Sequence, residues 1–128
     1  MSDNYDFTSL VFYQRAIELA KELYPRTLKF PNYEMFNLGD QIRRALTSVT
    51  GNIAEGYGRY TFKDRKRFLI ISRGSVCELM SHLTLCTISG VLAHKEAEAF
   101  RSTCRTIRFL INRYLVWLKK AETKTKRR

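Results

Sequence analysis

The chain has 128 residues and carries 23 Lys and Arg against 12 Asp and Glu, so its formal net charge is +11. This length suggests one domain, and no run of about 18 apolar residues predicts a membrane span. The positive charge favours polyanionic partners, with nucleic acid ahead of acidic protein surfaces and anionic lipid.

The N-terminal residues and the three cysteines both bear on the cellular compartment of the protein. The first residues lack the basic and apolar regions of a signal peptide, so none is expected. Cys77, Cys86 and Cys104 lie in apolar helical patterns without CxxC or zinc spacing. They predict three reduced, buried thiols in a cytoplasmic protein.

The first helix is predicted over residues 9–30, because apolar residues recur there at helical spacing. Pro25 removes one helical hydrogen bond and should kink the last turns or end the helix early. Pro31 then breaks the chain, and Asn32 is the expected N-cap of the next helix.

The second helix is predicted over residues 33–56, and the stretch around it has three separate faces. The apolar face is expected to pack in the core, while the small face would let another backbone approach closely. An ordered polar face suggests specific partners. The apolar face comprises Leu38, Ile42, Ala45, Leu46, Val49 and Ile53, the polar face Gln41, Arg44, Ser48, Asn52, Glu55 and Arg59, and the small face Thr47, Gly51, Ala54 and Gly58.

The third helix is predicted to begin after Thr61, which with Asp64 resembles a capping box, and to stop at Gly90 after Ser89. Its apolar residues occur nearly all round the helix. Such a helix is buried on more than one face, which in a small bundle indicates burial by a second subunit.

The fourth helix is predicted over residues 95–120 and has a basic stripe beside its apolar one. Few acids follow Glu98, so intrahelical pairing is not expected to neutralise this stripe. Residues 121–128 have no apolar anchor and are predicted to form a disordered basic tail. Four amphipathic helices with short connections predict an all-α, antiparallel up-down-up-down four-helix bundle over residues 1–120. The stripe consists of Arg101, Arg105, Arg108, Asn112 and Lys119.

The segments QIRRALTSVTGNIAEGYGR and RFLIISRGSVCEL resemble the signature of a bacterial four-helix-bundle family. That family was first named for reading frames inside intervening sequences of large-subunit ribosomal RNA genes. The resemblance spans residues 7–118. Thr50 and Gly51 depart from the usual pattern, as does Pro25, but the Asn-Ile-Ala-Glu-Gly core of the motif is intact.

The resemblance implies an antiparallel four-helix bundle that assembles as a ring-like homopentamer with a basic surface. A more distant relative is the accessory protein of diversity-generating retroelements, which binds a reverse transcriptase and nucleic acid. Either kind of partner is therefore an expectation here, while the family's own molecular function is not fixed by its signature.

The motif residues Asn52, Glu55 and Arg59 have two interpretations, a structural or assembly network and a catalytic acid with its orienting groups. No second carboxylate shares their helix face to form an acid–base couple, so the network is favoured. Glu55 is expected to pair with Arg59 first, or with Arg67 or Arg44. If that pair is buried, removing one member would cost roughly 3 kcal/mol.

Glu78 and His82 lie one turn apart, a spacing that could serve a metal ion, but a bundle metal site needs more ligands than this chain supplies. A helix hydrogen bond within that network is the simpler interpretation. We therefore expect no metal, no cofactor and no enzymatic activity.

The best binding candidates are the basic residues of the third and fourth helices. Flexible cations of this kind suit backbone phosphates, and no pattern for reading base sequence is convincing. The predicted function is a basic oligomeric scaffold that binds RNA or DNA without strong sequence preference. The alternative is a protein-interaction module that docks an acidic partner such as a reverse transcriptase. The candidate phosphate-binding residues are Arg101, Arg105, Arg108, Lys119, Lys63, Arg65 and Arg67.

Overall fold

The structure is a computed structural model that describes residues 7–127, with side chains described to residue 125. Its ordered elements are all helical, and no strand occurs among these residues. None of the described helices has the length and apolar character that crossing a membrane requires. After a 3-10 turn at Phe7–Ser9, the α-helices are α1 (Val11–Thr27), α2 (Asn32–Met35), α3 (Leu38–Tyr57), α4 (Phe62–Ser89) and α5 (His94–Arg127).

The four long helices pack around one core. α3 packs against α4, α4 packs against α5, and α1 packs against both α3 and α5. This arrangement confirms the prediction of an all-helical bundle. The largest fully buried side chains are Leu23, Ile42, Ile53, Leu79, Leu83, Ile107, Ile111 and Leu118.

α1 ends earlier than the predicted limit at residue 30. Its last residue is Thr27, two positions after Pro25, which is exposed on the solvent side of the helix. The Thr27 hydroxyl donates to the carbonyl oxygen of Tyr24 at 2.7 Å. The helix thus continues through Pro25, and the early end that was one of the two expected outcomes is observed two residues after the proline.

The second predicted helix is divided into α2 and α3, because Asn37 has a non-helical backbone. Side chains close the break: Asn37 Nδ2 donates to Glu34 Oε1 at 3.1 Å, and Arg43 donates to the Met35 carbonyl at 3.0 Å. The prediction of Asn32 as an N-cap is wrong. It is the first residue of α2, and the preceding carbonyl of Pro31 accepts the first hydrogen bonds.

The limits of α4 agree with the sequence. Thr61 is the N-cap, and its side chain accepts a hydrogen bond from the Asp64 amide at 3.1 Å. Gly90 ends the helix in the left-handed conformation, with φ at 82°. A side chain is strained at such a φ, which explains why glycine occupies this position.

α3 and α4 approach each other closely at small residues. A Cβ atom on Gly56 would lie 3.1 Å from Phe68 Cβ and 3.3 Å from the Arg65 carbonyl oxygen of α4. The buried Ser72 hydroxyl donates to the Val49 carbonyl at 2.8 Å across the same interface. The close approach of the two helices therefore occurs at Gly56 and Ser72, and Gly56 is not one of the residues of the predicted small face.

α5 continues through Arg127, so the predicted helix end at residue 120 is too early. The segment expected to be a disordered tail is helical over residues 121–127, while Arg128 lies outside the described residues. The prediction of a disordered tail considered only apolar residues as anchors. Here Glu122 instead pairs with Lys66 of α4 at 3.0 Å, and Thr123 donates to the Lys119 carbonyl.

The three cysteines do not share one environment. Cys86 and Cys104 are buried as predicted, but Cys77 is exposed on α4, so that part of the prediction is wrong. Burial raises the pKa of the Cys86 thiol to about 11 and the pKa of the Cys104 thiol to about 12. The error arose because α4 is apolar on faces that no other part of the subunit covers.

Candidate nucleic-acid interface

The first half of the predicted α5 stripe is partly neutralised. Arg101 Nε lies 3.1 Å from a Glu98 carboxylate oxygen, and Arg105 pairs with the other oxygen of the same carboxylate. Hydrogen bonds from Arg105 and then Arg101 lower the pKa of Glu98. We expected that intrahelical pairing would not neutralise the stripe. For these two arginines that expectation is wrong.

Arg101 is also poorly placed for an external ligand. Its side chain is only 12% exposed, and its buried Nη1 atom has no hydrogen-bond partner among the described residues. Arg108 is half-buried, with Nη1 about 4.0 Å from Met80 Sδ of α4. Arg73 of α4 donates to Asn112 at 2.8 Å. Arg108 and Asn112 thus contact α4 at its junction with α5.

The second half of α5 presents cations that are exposed. Lys119, Lys120 and Lys124 line an open groove of about 600 Å³ together with Val116 and Thr123. None of the three lysines has an ion-pair partner among the described residues. The sequence from 99 to 121 contains six basic residues and no acid, namely Arg101, Arg105, Arg108, Arg113, Lys119 and Lys120.

The first turns of α4 carry the second predicted cluster. Lys63 is exposed, and Arg65 Nε donates to the Arg59 carbonyl at 2.8 Å. The guanidinium groups of Arg59 and Arg67 lie 4.7 Å and 4.6 Å from the centre of the Phe68 ring. Such stacking holds both arginine side chains against the surface. Each also has a carboxylate partner, since Arg59 pairs with Glu55 and Arg67 Nε lies 3.9 Å from Asp64.

The Lys66–Glu122 ion pair brings the start of α4 beside the last turns of α5. Both basic clusters consequently lie at the same end of the bundle, whereas Arg101 and Arg105 lie towards the other end. We call this region the basic end, and it comprises Arg59, Lys63, Arg65, Arg67, Lys119, Lys120 and Lys124.

An aromatic cleft of about 510 Å³ opens at the basic end. It is lined by Leu10, Tyr57, Arg65, Tyr114 and Trp117. The ring centres of Tyr114 and Trp117 are 5.4 Å apart, with the ring planes tilted by 35°. Sequence reasoning missed this cleft because it sought aromatic residues on a strand platform. In the sequence, the cleft is indicated only by Trp117, which precedes the pair Lys119 and Lys120 by two residues.

The predicted assembly network is distributed over separate contacts. Glu55 pairs with Arg59 at 2.5 Å, which confirms the first-choice partner, but both side chains are exposed, at 53% and 40%. Asn52 instead donates to the Ser48 carbonyl and hydroxyl, so its predicted support of that pair is wrong. The cause is the helical rise, which places Ser48 one turn before Asn52.

The other two network residues also have local partners. Arg44 pairs with Asp40 at 2.8 Å on the same helix. Glu78 lies 3.2 Å from His82 Nε2, the expected helix contact. Within residues 7–127, no three His, Cys, Asp or Glu side chains come together as a metal ion would need.

One face of α4 is apolar or small and is not covered by the subunit. We call it the α4 outer face. A Cβ atom built on its Gly74 would meet no atom within 4 Å, and the same holds for Gly51 of the small face of α3. The α4 outer face consists of Ile70, Gly74, Cys77, Ser81, Leu85 and Ile88.

Comparison with known proteins identifies the fold and the family. A crystal structure of a protein with unknown function, from the S23 ribosomal protein family of Bacteroides thetaiotaomicron VPI-5482, superposes with a TM-score of 0.75. It is 20% identical, and the match covers 82% of this chain and 95% of that one. No curated protein matches the chain significantly. The family of 23S rRNA-intervening sequence proteins matches residues 8–113, and the chain therefore belongs to that family.

Proposed function

We propose that this protein is a non-enzymatic, oligomeric scaffold that binds RNA or DNA through phosphate contacts at its basic end. The observation that carries the proposal is the convergence of Lys63 and Arg65 with Lys119, Lys120 and Lys124 at one end of the bundle. These side chains come from two different helices, and the three lysines have no described acidic partner.

The chemistry of these side chains favours phosphates over base edges. Exposed lysines are flexible point charges, and each phosphate that they neutralise releases condensed counterions. Such contacts position a protein on nucleic acid but carry no sequence information. The family description, which refers to sequences within 23S rRNA, supports RNA as the first ligand to test.

Assembly is the second part of the proposal. The α4 outer face and the small face of α3 are exposed, uncharged and open enough for another backbone to approach. An apolar face of this length is unusual on a monomer. We infer a homo-oligomer, with the homopentamer of the resembling family as the expected state, which would multiply the field of each +11 subunit.

Within each subunit we infer the antiparallel up-down-up-down arrangement. Contacts between α4 and α5 support it, because residues later in α4 meet residues earlier in α5. Lys66 meets Glu122, Arg73 meets Asn112, and Met80 meets Arg108.

Two triple variants with the same change of charge test the binding site. Lys119, Lys120 and Lys124 are replaced by glutamate in the first, and the exposed cations Lys21, Lys29 and Lys95, which lie towards the other end of the bundle, in the second. The first should lose at least about tenfold in affinity for a labelled single-stranded RNA. Its slope of log affinity against log salt should fall by about 2, because each lost phosphate contact removes 0.7 to 0.9.

The second variant should retain most of the parent's affinity, because its cations lie away from the basic end. Equal losses in both variants would show that net charge alone drives binding. No binding by the parent at about 50 mM salt would refute the proposal. Unchanged affinity in the first variant would instead favour the alternative, in which the basic end binds an acidic protein partner.

A further inference from the structure

We propose that the aromatic cleft binds an unpaired nucleobase, so that the protein prefers single-stranded or looped nucleic acid to a duplex. This inference rests on the proposed function, which concerns only the phosphates. It assigns a second kind of contact, base stacking, to Trp117 at the edge of the basic end.

The first support is the exposure of Trp117. Its side chain is 55% exposed although its neighbour Leu118 is fully buried and fills the core at this level. More than half of the Trp117 side chain is therefore available for a further contact. A large exposed aromatic ring beside lysines is a surface on which any base can stack, since every base has a π-face.

The second support is the shape of the cleft. About 510 Å³ is within the range of small-molecule sites and is enough for one base. Leu10 and the ring of Tyr114 provide apolar walls, and Tyr114 already packs edge-on against Phe12, with ring centres 5.4 Å apart. The wall opposite the opening is thus held by the core and does not depend on the ligand.

The third support is a cation inside the cleft. Arg65 lines it and is oriented by the hydrogen bond from Nε to the Arg59 carbonyl. No other hydrogen bond of this guanidinium occurs among the described residues. Arg65 can therefore donate its Nη groups to a phosphate while the base attached to that nucleotide lies against Trp117.

A duplex cannot use this cleft, because its bases are stacked on one another and paired. An unpaired base in a single strand or loop can be splayed out and stacked on a protein ring. The basic end alone would attract both forms, so the cleft is what distinguishes them.

The chain has a single tryptophan, so its fluorescence reports on the cleft alone. Two labelled 12-nucleotide strands are compared at about 50 mM salt, one with bases and one with an abasic sugar–phosphate backbone. The strand with bases should bind about tenfold more tightly than the abasic strand and should quench the emission of Trp117. The abasic strand should bind through its phosphates without quenching.

Trp117→Ala should bring the two affinities together without changing the salt slope. Phe109→Ala is the matched control, since Phe109 is exposed on the same helix but outside the cleft, and it should keep the difference. The comparison of the two strands uses the parent protein, so it remains decisive even if Trp117→Ala does not fold.

The outcomes separate this inference from the proposed function. If the parent binds neither strand, the proposed function fails. If it binds both equally with unchanged emission, only the inference is overturned. If Trp117→Ala changes the molecular mass seen by light scattering, Trp117 is a subunit contact and the inference is likewise overturned.

Discussion

The outer faces of α4 and α5 are both long and exposed, yet they differ in charge. From Ile70 to Ile88 the α4 outer face carries no charged side chain, and glycine, cysteine and serine lie between its apolar residues. The exposed part of α5 carries Lys119, Lys120 and Lys124. An uncharged face with small residues suits another helix, whereas a face of uncompensated cations repels a second copy and suits a polyanion.

The difference in charge suggests that self-assembly and nucleic-acid binding use different surfaces, which the sequence alone did not distinguish. We propose that assembly uses the α4 outer face, whereas nucleic acid binds at the basic end, which the first turns of α4 and the last turns of α5 form together. Substitutions on the α4 outer face should therefore leave ligand binding largely unchanged, and the reverse.

Gly74→Arg should abolish assembly. Gly74 meets no atom of its own subunit, so the arginine is accommodated in the monomer but places a charge in the middle of the α4 outer face. Light scattering should then give the subunit mass of 15.1 kDa. Glu18→Arg, which adds arginine at an exposed position of α1, should leave the mass of the assembly unchanged. An assembled Gly74→Arg protein would show that this face is not the interface.

Cys77 should report on the covering of the same face. In Gly74→Arg it should react rapidly with a thiol reagent, while Cys86 and Cys104 should react only on unfolding, because burial raises the pKa of each thiol to about 11 and about 12. The native variant should therefore consume one equivalent of reagent and the denatured one three. Slower reaction of Cys77 in the parent would place it within the assembly, and equal rates would place it outside.

Gly56→Ala should lower the free energy of unfolding by about 1 to 3 kcal/mol, because the added methyl group would press on Phe68 and the Arg65 carbonyl. Gly51→Ala meets no atom of the subunit and should raise it by about 0.5 to 1 kcal/mol through helix propensity. Urea unfolding at one protein concentration measures both. A loss in Gly51→Ala would indicate that another subunit covers the small face of α3.

Glu55→Ala should cost less than about 1 kcal/mol, because an exposed pair at this spacing contributes only a few tenths. This revises the value of roughly 3 kcal/mol expected for a buried pair. Arg59→Ala should cost more, since Arg59 also stacks on Phe68. A loss near 3 kcal/mol for Glu55→Ala in the assembled protein would show that a neighbouring subunit buries the pair.

Most of the fold could be predicted because its signals are local. Helical periodicity gave the long helices, Thr61 gave the start of α4, and Gly90 gave its end. The errors came from contacts between distant residues. Arg43 bridges the break at Asn37 by donating both to the Met35 carbonyl and to the Thr27 hydroxyl of α1, and the extension of α5 coincides with the pairing of Lys66 and Glu122 across two helices.

The candidate site was less predictable for the same reason. The sequence shows which side chains are charged, but it does not show which of them have an oppositely charged partner. Arg101 and Arg105 share Glu98, while the lysines of α5 have no described partner. The aromatic cleft combines residues from four parts of the chain, so no single stretch of sequence could indicate it.

The acid-free stretch at 99–121 has a consequence for how the protein would respond to its medium. Added salt screens the mutual repulsion of like-charged subunits and so should strengthen assembly through the uncharged α4 face. The same salt competes with counterion release and should weaken nucleic-acid binding. Raising the ionic strength would then favour assembly and weaken nucleic-acid binding. A bound polyanion would screen the repulsion between basic subunits in place of salt.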